Sequence, residues 1–247
     1  MRGRRHVEKD LPCQDAHRWH VAPGGLLIAA VADGAGSQPL SDIGSRVAVE
    51  TATTTLLITL GEAFAGGKAE AETALRAALQ RAHQALKAEA EARSAPTDHL
   101  ATTLVLAAAG PDFVAALQVG DGCAVVAPAE GVIFALTTPE NGEYADLTAF
   151  ISDPASVAQA QFRFWRGAAS GLALLTDGLQ MQTLRVPSPE DPEWRPHAAF
   201  FGPFLDFARA AGPSGAGNAQ LAAYLSSEKV QERSDDDITF IFAARPA

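Results

Sequence analysis

A chain of 247 residues that is 47% hydrophobic can bury one substantial core. Its 29 acidic against 19 basic side chains leave a formal charge of −10 and no basic stripe, which argues against nucleic acid or an anionic membrane as the main partner. The apolar runs end at Asp, Gly or Pro well short of the ~18 residues a membrane span needs. The basic start, Met1 to His6, meets Glu8-Lys9-Asp10 where a secretory signal needs an apolar stretch, so a cytoplasmic protein is expected.

The first strand is the apolar run Leu27-Ile28-Ala29-Ala30-Val31-Ala32, which ends in Asp33-Gly34. Ser41-Asp42 then offers an N-cap, and Ile43, Val47, Leu56, Leu57 and Leu60 predict a helix to about Leu60. A second helix is expected from about Ala69 to Arg93, with Leu75, Leu79, Ala82 and Leu86 on one stripe and Ser94-Ala95-Pro96 stopping it. From Thr102 to Leu136 short apolar runs are broken by Gly110-Pro111-Asp112, Gly120-Asp121-Gly122 and Glu130-Gly131. Connections this short hold no crossover helix, so the strands should be antiparallel neighbours in a meander. A doubly wound nucleotide-binding fold is thereby excluded for the middle of the chain, and the third glycine of a dinucleotide loop starting at Gly34 would fall at Pro39. Segment 137–170 has no clean period and reads as an irregular excursion able to cover a site. A strand follows at 172–177, an exposed Pro-rich loop at 186–203, helices near 203–211 and 217–229, and a closing strand at 238–244. The expected class is α+β, antiparallel sheet with packed helices, as one domain over 1–247.

Chemistry concentrates in the acids. Three apolar runs end in Asp-Gly, at Asp33, Asp121 and Asp177, and two further acidic spots stand at Gln14-Asp15 and Asp235-Asp236-Asp237. Carboxylates gathered in one place repel, and hard divalent cations are the usual means of holding them ionised. No His or Cys cluster with ligand spacing competes, which disfavours zinc. Cys13 and Cys123 are either two small buried hydrophobes or thiols drawn together with the acids. His17, His20, His83, His99 and His197 are scattered singly and receive no role.

In order along the chain, Cys13-Gln14-Asp15-Ala16, Val31-Ala32-Asp33-Gly34-Ala35-Gly36-Ser37, Ala101-Thr102-Thr103-Leu104, Val119-Gly120-Asp121-Gly122, Leu175-Thr176-Asp177-Gly178-Leu179 and Asp236-Asp237-Ile238-Thr239 resemble the metal-dependent protein phosphatases of the PPM type, also called type 2C, in their bacterial branch. The stretch from Gly142 to Phe150 is also similar to one in that branch. The resemblance implies an α-β-β-α sandwich of two antiparallel sheets flanked by helices. It also implies two or three Mn²⁺ or Mg²⁺ ions, and removal of phosphate from phosphoserine and phosphothreonine by direct attack of a metal-bridging hydroxide. A phosphorylated protein would be the partner, with a serine/threonine kinase or its target in a signalling role.

The same resemblance assigns roles. Asp33 would bridge both metals, with the Gly34 carbonyl as a further ligand, and Asp33, Asp177 and Asp236 would form the catalytic set. Asp15 lies on the side opposite Asp177 and Asp236, and Asp121 would hold a looser third ion with Asp177. Thr176 would brace its loop. Gln14 replaces the family's common glutamate, Asp237 a common asparagine, and Ala35 a histidine found in eukaryotic members. The family's phosphate-binding arginine has no clean match, which leaves Arg5 or His6 for that role. The alternative is a catalytically impaired phosphatase-like module that binds a phosphoprotein without turning it over, a reading motivated by Gln14 and the unmatched arginine.

Overall fold

A computed structural model describes residues 1–61, 66–140, 148–212 and 215–245. The chain opens with helix α1 (Arg4–Glu8), strands β1 (Ala16–Val21) and β2 (Leu27–Ala32), and long helices α2 (Ser41–Leu60) and α3 (Lys68–Ala92). Next come β3 (Leu104–Gly110), β4 (Phe113–Val119), β5 (Cys123–Pro128), β6 (Phe134–Ala135), α4 (Pro154–Ala158), β7 (Gln161–Arg166) and β8 (Ala169–Leu175). The last third holds α5 (Gln180–Thr183), the two-residue strands β9 (Leu184–Arg185) and β10 (Arg195–Pro196), α6 (Ala198–Ala211), α7 (Gly215–Leu225), α8 (Glu228–Gln231) and β11 (Phe240–Ala244).

Two antiparallel sheets form, in the orders β1-β2-β3-β4-β7 and β11-β8-β5-β6. Alternation of side chains along each strand sorts the apolar residues into three layers. Ile28, Leu104, Leu106 and Leu117 face Leu56, Leu60, Leu75, Leu79 and Leu86 of α2 and α3. Val31, Val105, Val114, Val126, Leu172 and Leu174 fill the space between the sheets. Val125, Leu175 and Phe240 meet Phe201, Leu225 and Val230 on the far side. The expected α-β-β-α sandwich is therefore present. Its inner strands read as unbroken Ala/Val/Leu runs because both faces are covered. No described helix is long and apolar enough to cross a membrane.

Several sequence expectations change. The run from Thr102 to Leu136 is not a meander, because β3 and β4 pair but β5 crosses to the other sheet and pairs with β8 and β6. The Gly120-Asp121-Gly122 turn is thus a bridge between sheets. Gln118 organises it, its Nε2 lying 2.9 Å from the Gly120 carbonyl and 2.8 Å from that of Gly122. Gly120 adopts a φ of +98°, where a side chain is strained. Segment 137–170 is not wholly irregular, since it contains α4 and β7, the latter completing the first sheet at its edge. Residues 142–147 of the family-like stretch lie outside the described residues. Helix α6 starts within the expected Pro-rich loop and carries Pro203 inside it. The edge strand β1 had no apolar period to announce it, because its His17, Arg18 and Trp19 are exposed.

Candidate metal centre

Strand register gathers the acids. Ala16 of β1 pairs with Ala32 of β2, Val31 of β2 with Val105 of β3, and Leu104 of β3 with Val119 of β4. Leu175 of β8 lies between Phe240 of β11 and Cys123 of β5. Asp15 immediately precedes β1 and Asp33 follows β2. Asp121 follows β4, Asp177 follows β8, and Asp236 precedes β11. Antiparallel pairing therefore brings all five to one end of the sandwich, three from the first sheet and two from the second.

Backbone and hydroxyl contacts fix each position. The Asp33 N–H donates to Thr103 Oγ1 at 3.0 Å, and the Thr103 N–H and Thr102 hydroxyl both donate to the Asp33 carbonyl at 2.8 Å. The Gly34 N–H donates to the Gln14 carbonyl at 3.1 Å. A Cβ on Gly34 would stand 2.6 Å from the Ser41 carbonyl oxygen and 2.8 Å from that of Gln14, so glycine is required by close approach. Asp15 accepts from the Thr176 hydroxyl at 2.8 Å, and Thr176 Oγ1 accepts the Thr239 N–H at 3.0 Å. Thr176 thus ties the two sheets together at the site. Thr148 donates to Asp121 at 2.9 Å.

The carboxyls perturb one another as like charges must. Burial first, then the charges of Asp15, Asp177, Asp236 and Asp121, push Asp33 well above the ordinary carboxylate range. Burial and the charges of Asp121, Asp236 and Asp15 raise Asp177 to about 7, despite a hydrogen bond with Asp33. Asp15 rises to about 6, mainly through burial, with the Thr176 and Thr239 contacts opposing. Burial also raises Asp121, against the Thr148 hydroxyl.

Oxygen donors without partners complete the picture. Asp15 Oδ1, Asp121 Oδ1, Asp177 Oδ1 and Gln14 Oε1 are buried and accept no hydrogen bond. Unmatched buried carboxylate oxygens facing several like charges suit hard, oxygen-coordinated cations. Among the described residues, no three Asp, Glu, His or Cys side chains converge closely enough to count as an assembled ligand set. The fit is one of donor chemistry and electrostatics.

Asp237 plays a part that sequence reading missed. Its side chain is 1% exposed, its Oδ1 accepts the Gly3 N–H and its Oδ2 the Gln14 N–H, both at 2.6 Å. His6 Nδ1 lies 2.8 Å from Oδ2 without the alignment of a hydrogen bond. His6 is therefore buried against this loop. Arg4 is engaged with Asp235 at 3.0 Å. Arg5 remains, exposed and in no ion pair among the described residues. A methyl on Gly36 would lie 3.9 Å from Arg5 Nη2 and 3.8 Å from Gln14 Oε1, which puts the guanidinium beside the Asp33 loop. A signal for Asp237 existed in the unexpected acid before Ile238, but its partners at Gly3 and Gln14 are remote in sequence.

Cys13 and Cys123 are free thiols held near different carbonyls, those of Asp15 and Thr137. His83 is buried and its Nδ1 lies 2.7 Å from the Ile151 carbonyl, a structural contact between α3 and the segment before α4.

Comparison with known proteins agrees with this architecture. Serine/threonine-protein phosphatase 3 of Escherichia coli (strain K12) is 34% identical over 253 residues, covering 98% of this chain and 94% of the relative. The solved serine/threonine phosphatase from Staphylococcus aureus superposes with a TM-score of 0.61 at 18% identity, covering 96% of this chain and 90% of its own. The S. agalactiae serine/threonine phosphatase gives 0.61 at 15% identity, covering 95% and 94%. These two likenesses speak to fold alone. The family model described as protein phosphatase 2C matches residues 2–226, and the chain belongs to that family.

Proposed function

We propose that this chain is a metal-dependent protein serine/threonine phosphatase acting on phosphoserine and phosphothreonine in a partner protein. The observation that carries the reading is the gathering of five mutually repelling aspartates from both sheets at one end of the sandwich, three of them with unmatched buried oxygens. Asp33, the Gly34 carbonyl, Asp177 and Asp236 would hold divalent ions with Asp15 and Gln14 on the opposite side. Asp121, steadied by Thr148, would serve a looser further ion. Two or three manganese or magnesium ions are the expected complement. When bound, such ions lower the pKa of water and neutralise phosphoryl charge.

The chain's own residues do the rest. Thr102 and Thr103 fix the Asp33 backbone, so its carboxylate would be held ready for the ions without reorganisation. Arg5 would orient phosphoryl oxygens, since a guanidinium offers two parallel donors. Ala35 has no acidic proton to give, so a water held at the centre would have to protonate the leaving alkoxide.

The test is hydrolysis of an aryl phosphate and a phosphothreonine peptide by purified protein, with manganese, magnesium or chelator, beside Asp33→Asn. Turnover that needs metal and is lost in the variant supports the reading. Saturable manganese binding with no turnover on either substrate would replace it by the phosphoprotein-binding module.

A further inference from the structure

Helices α5, α6, α7 and α8 surround a groove of about 670 Å³ on the outer face of the second sheet. Its origin is a surplus of apolar residues. Helix α6 inserts Phe201 into the core, 1% exposed, yet also carries Phe204 and Phe207, which the sheet covers only in part. Phe204 stacks edge-on against Phe240 at 5.1 Å and Tyr224 at 5.5 Å, so one wall is a fixed aromatic surface. Met181, 67% exposed, stands at the groove as well.

The charge of the lining runs against that of the chain. Among the described residues no Asp or Glu lines the groove, although acids outnumber bases 29 to 19 in the whole sequence. Lys229 and Arg233 do line it, both exposed and in no ion pair among the described residues. Asp206, Glu228 and Glu232 stand on or beside the same helices outside the lining. An apolar wall beside two free cations complements an occupant that is both apolar and acidic.

We propose that this groove docks an acidic amphipathic segment of a partner protein. Its aromatic or aliphatic side chains rest on Phe204, Tyr224 and Met181, and its carboxylates meet Lys229 and Arg233. The groove is tied to the catalytic end through the chain. Helix α5 follows directly on the Asp177 turn, Arg233 stands just before the Asp236 loop, and Gln182 Nε2 joins the two by donating to the Val230 carbonyl at 3.3 Å. On the phosphatase reading, a substrate carrying such a segment apart from its phosphoresidue is held at two points, which raises local concentration at the centre.

Fluorescence anisotropy in EDTA tests docking independently of any turnover. The probes are a fluorescein-labelled peptide of Glu and Asp interspersed with Phe and Leu, its analogue with Lys for every acid, and an analogue with Ser for every apolar residue. The acidic apolar peptide binds saturably, the two analogues do not, and the double variant Lys229→Glu/Arg233→Glu weakens it by about tenfold or more. Met181→Asp, at an exposed site, weakens it as well, and an unchanged thermal melt of each variant verifies the fold. Equal binding of the lysine analogue, an affinity unchanged by charge reversal, or no saturation up to about 1 mM peptide overturns the proposal. So does self-association, or binding to anionic vesicles, that Met181→Asp abolishes while the peptide fails to bind.

Discussion

Substitution of Asp237 by asparagine separates two roles for an acid beside the candidate metal centre. Asp237 uses both oxygens, Oδ1 for the Gly3 N–H and Oδ2 for the Gln14 N–H, each at 2.6 Å in a buried setting. An asparagine has one oxygen, so whichever way its amide is turned, one buried N–H faces an NH₂ group. Losing one charge-assisted bond and stranding its donor costs about 1–3 kcal/mol. Alanine strands both donors and the facing His6, and costs about 3–5 kcal/mol by the same reasoning. Urea unfolding of the metal-free protein in EDTA measures both changes, with the slope of the transition reporting whether the folded state stays compact. Asp15 and Arg5 are presented by the segment that Asp237 clamps, so the asparagine variant with manganese should raise KM for an aryl phosphate more than it lowers kcat. A stability within about 0.5 kcal/mol of the parent for Asp237→Asn would refute the two-oxygen clamp.

The other perturbations follow from the carboxylates and the nearby guanidinium. A carboxyl with a higher pKa folded than unfolded binds its proton more tightly in the folded chain, so metal-free stability falls as pH rises from about 4 to about 7. Melts in EDTA should show the maximum at acid pH and a loss on the order of 2–4 kcal/mol by pH 8, largely restored by manganese; equal stability at pH 5 and pH 8 would contradict the crowding of charge. Asp33→Asn removes one repelling charge, so in EDTA at pH 8 it should melt higher than the parent while losing both manganese-induced stabilisation and turnover; a lower melting temperature in EDTA would deny the repulsion at Asp33. Arg5→Ala should raise KM for an aryl phosphate about tenfold with a smaller change in kcat, and an unchanged KM would leave Arg5 as a solvated cation.

The parts of the fold that sequence reading found are those with a local signature. Helices α2 and α3 carry apolar stripes, although the N-cap expected at Ser41-Asp42 is absent, Ser41 lying inside α2 after Leu40 with no side-chain cap on either helix, and β2, β3, β4 and β8 are short apolar runs closed by turn residues. What it missed has its cause elsewhere in the chain. β1 is an edge strand whose His17, Arg18 and Trp19 face solvent, so its pairing with β2 rather than its composition makes it a strand. β7 alternates Phe162 and Phe164 towards the helices with Arg163 and Trp165 on its other face, a pattern too short to stand out within 137–170. The passage of β5 to the second sheet depends on Gln118 and a left-handed Gly120, whereas Gly-Asp-Gly in sequence equally describes a hairpin. Asp33, Asp121 and Asp177 were legible because each sits at a strand end beside glycine, Asp236 because it lies in an acidic run, and Asp15 only through the family-like stretch Cys13-Gln14-Asp15-Ala16. The clamp at Asp237 was not, because its donors lie at the opposite end of the chain.

The scaffold and the site pull in opposite directions, and the division of labour at Gln14 shows how the chain reconciles them. The Gln14 N–H bonds to Asp237 and its carbonyl receives the Gly34 N–H, so its backbone alone spans the N-terminal segment, the Asp33 loop and the loop before β11. Its side chain is free of that task, and Oε1 remains buried and unmatched beside Arg5 and Gly36. Glutamine in place of the family's common glutamate therefore leaves the frame intact and lowers the negative charge by one where five aspartates already repel. The same exchange weakens attraction for a cation on that side, since an amide oxygen donates without charge. Geometry is thus set by backbone hydrogen bonds and threonine hydroxyls, while on the proposed reading affinity for metal would be set by which side-chain oxygens carry charge, and the two could vary separately in this chain.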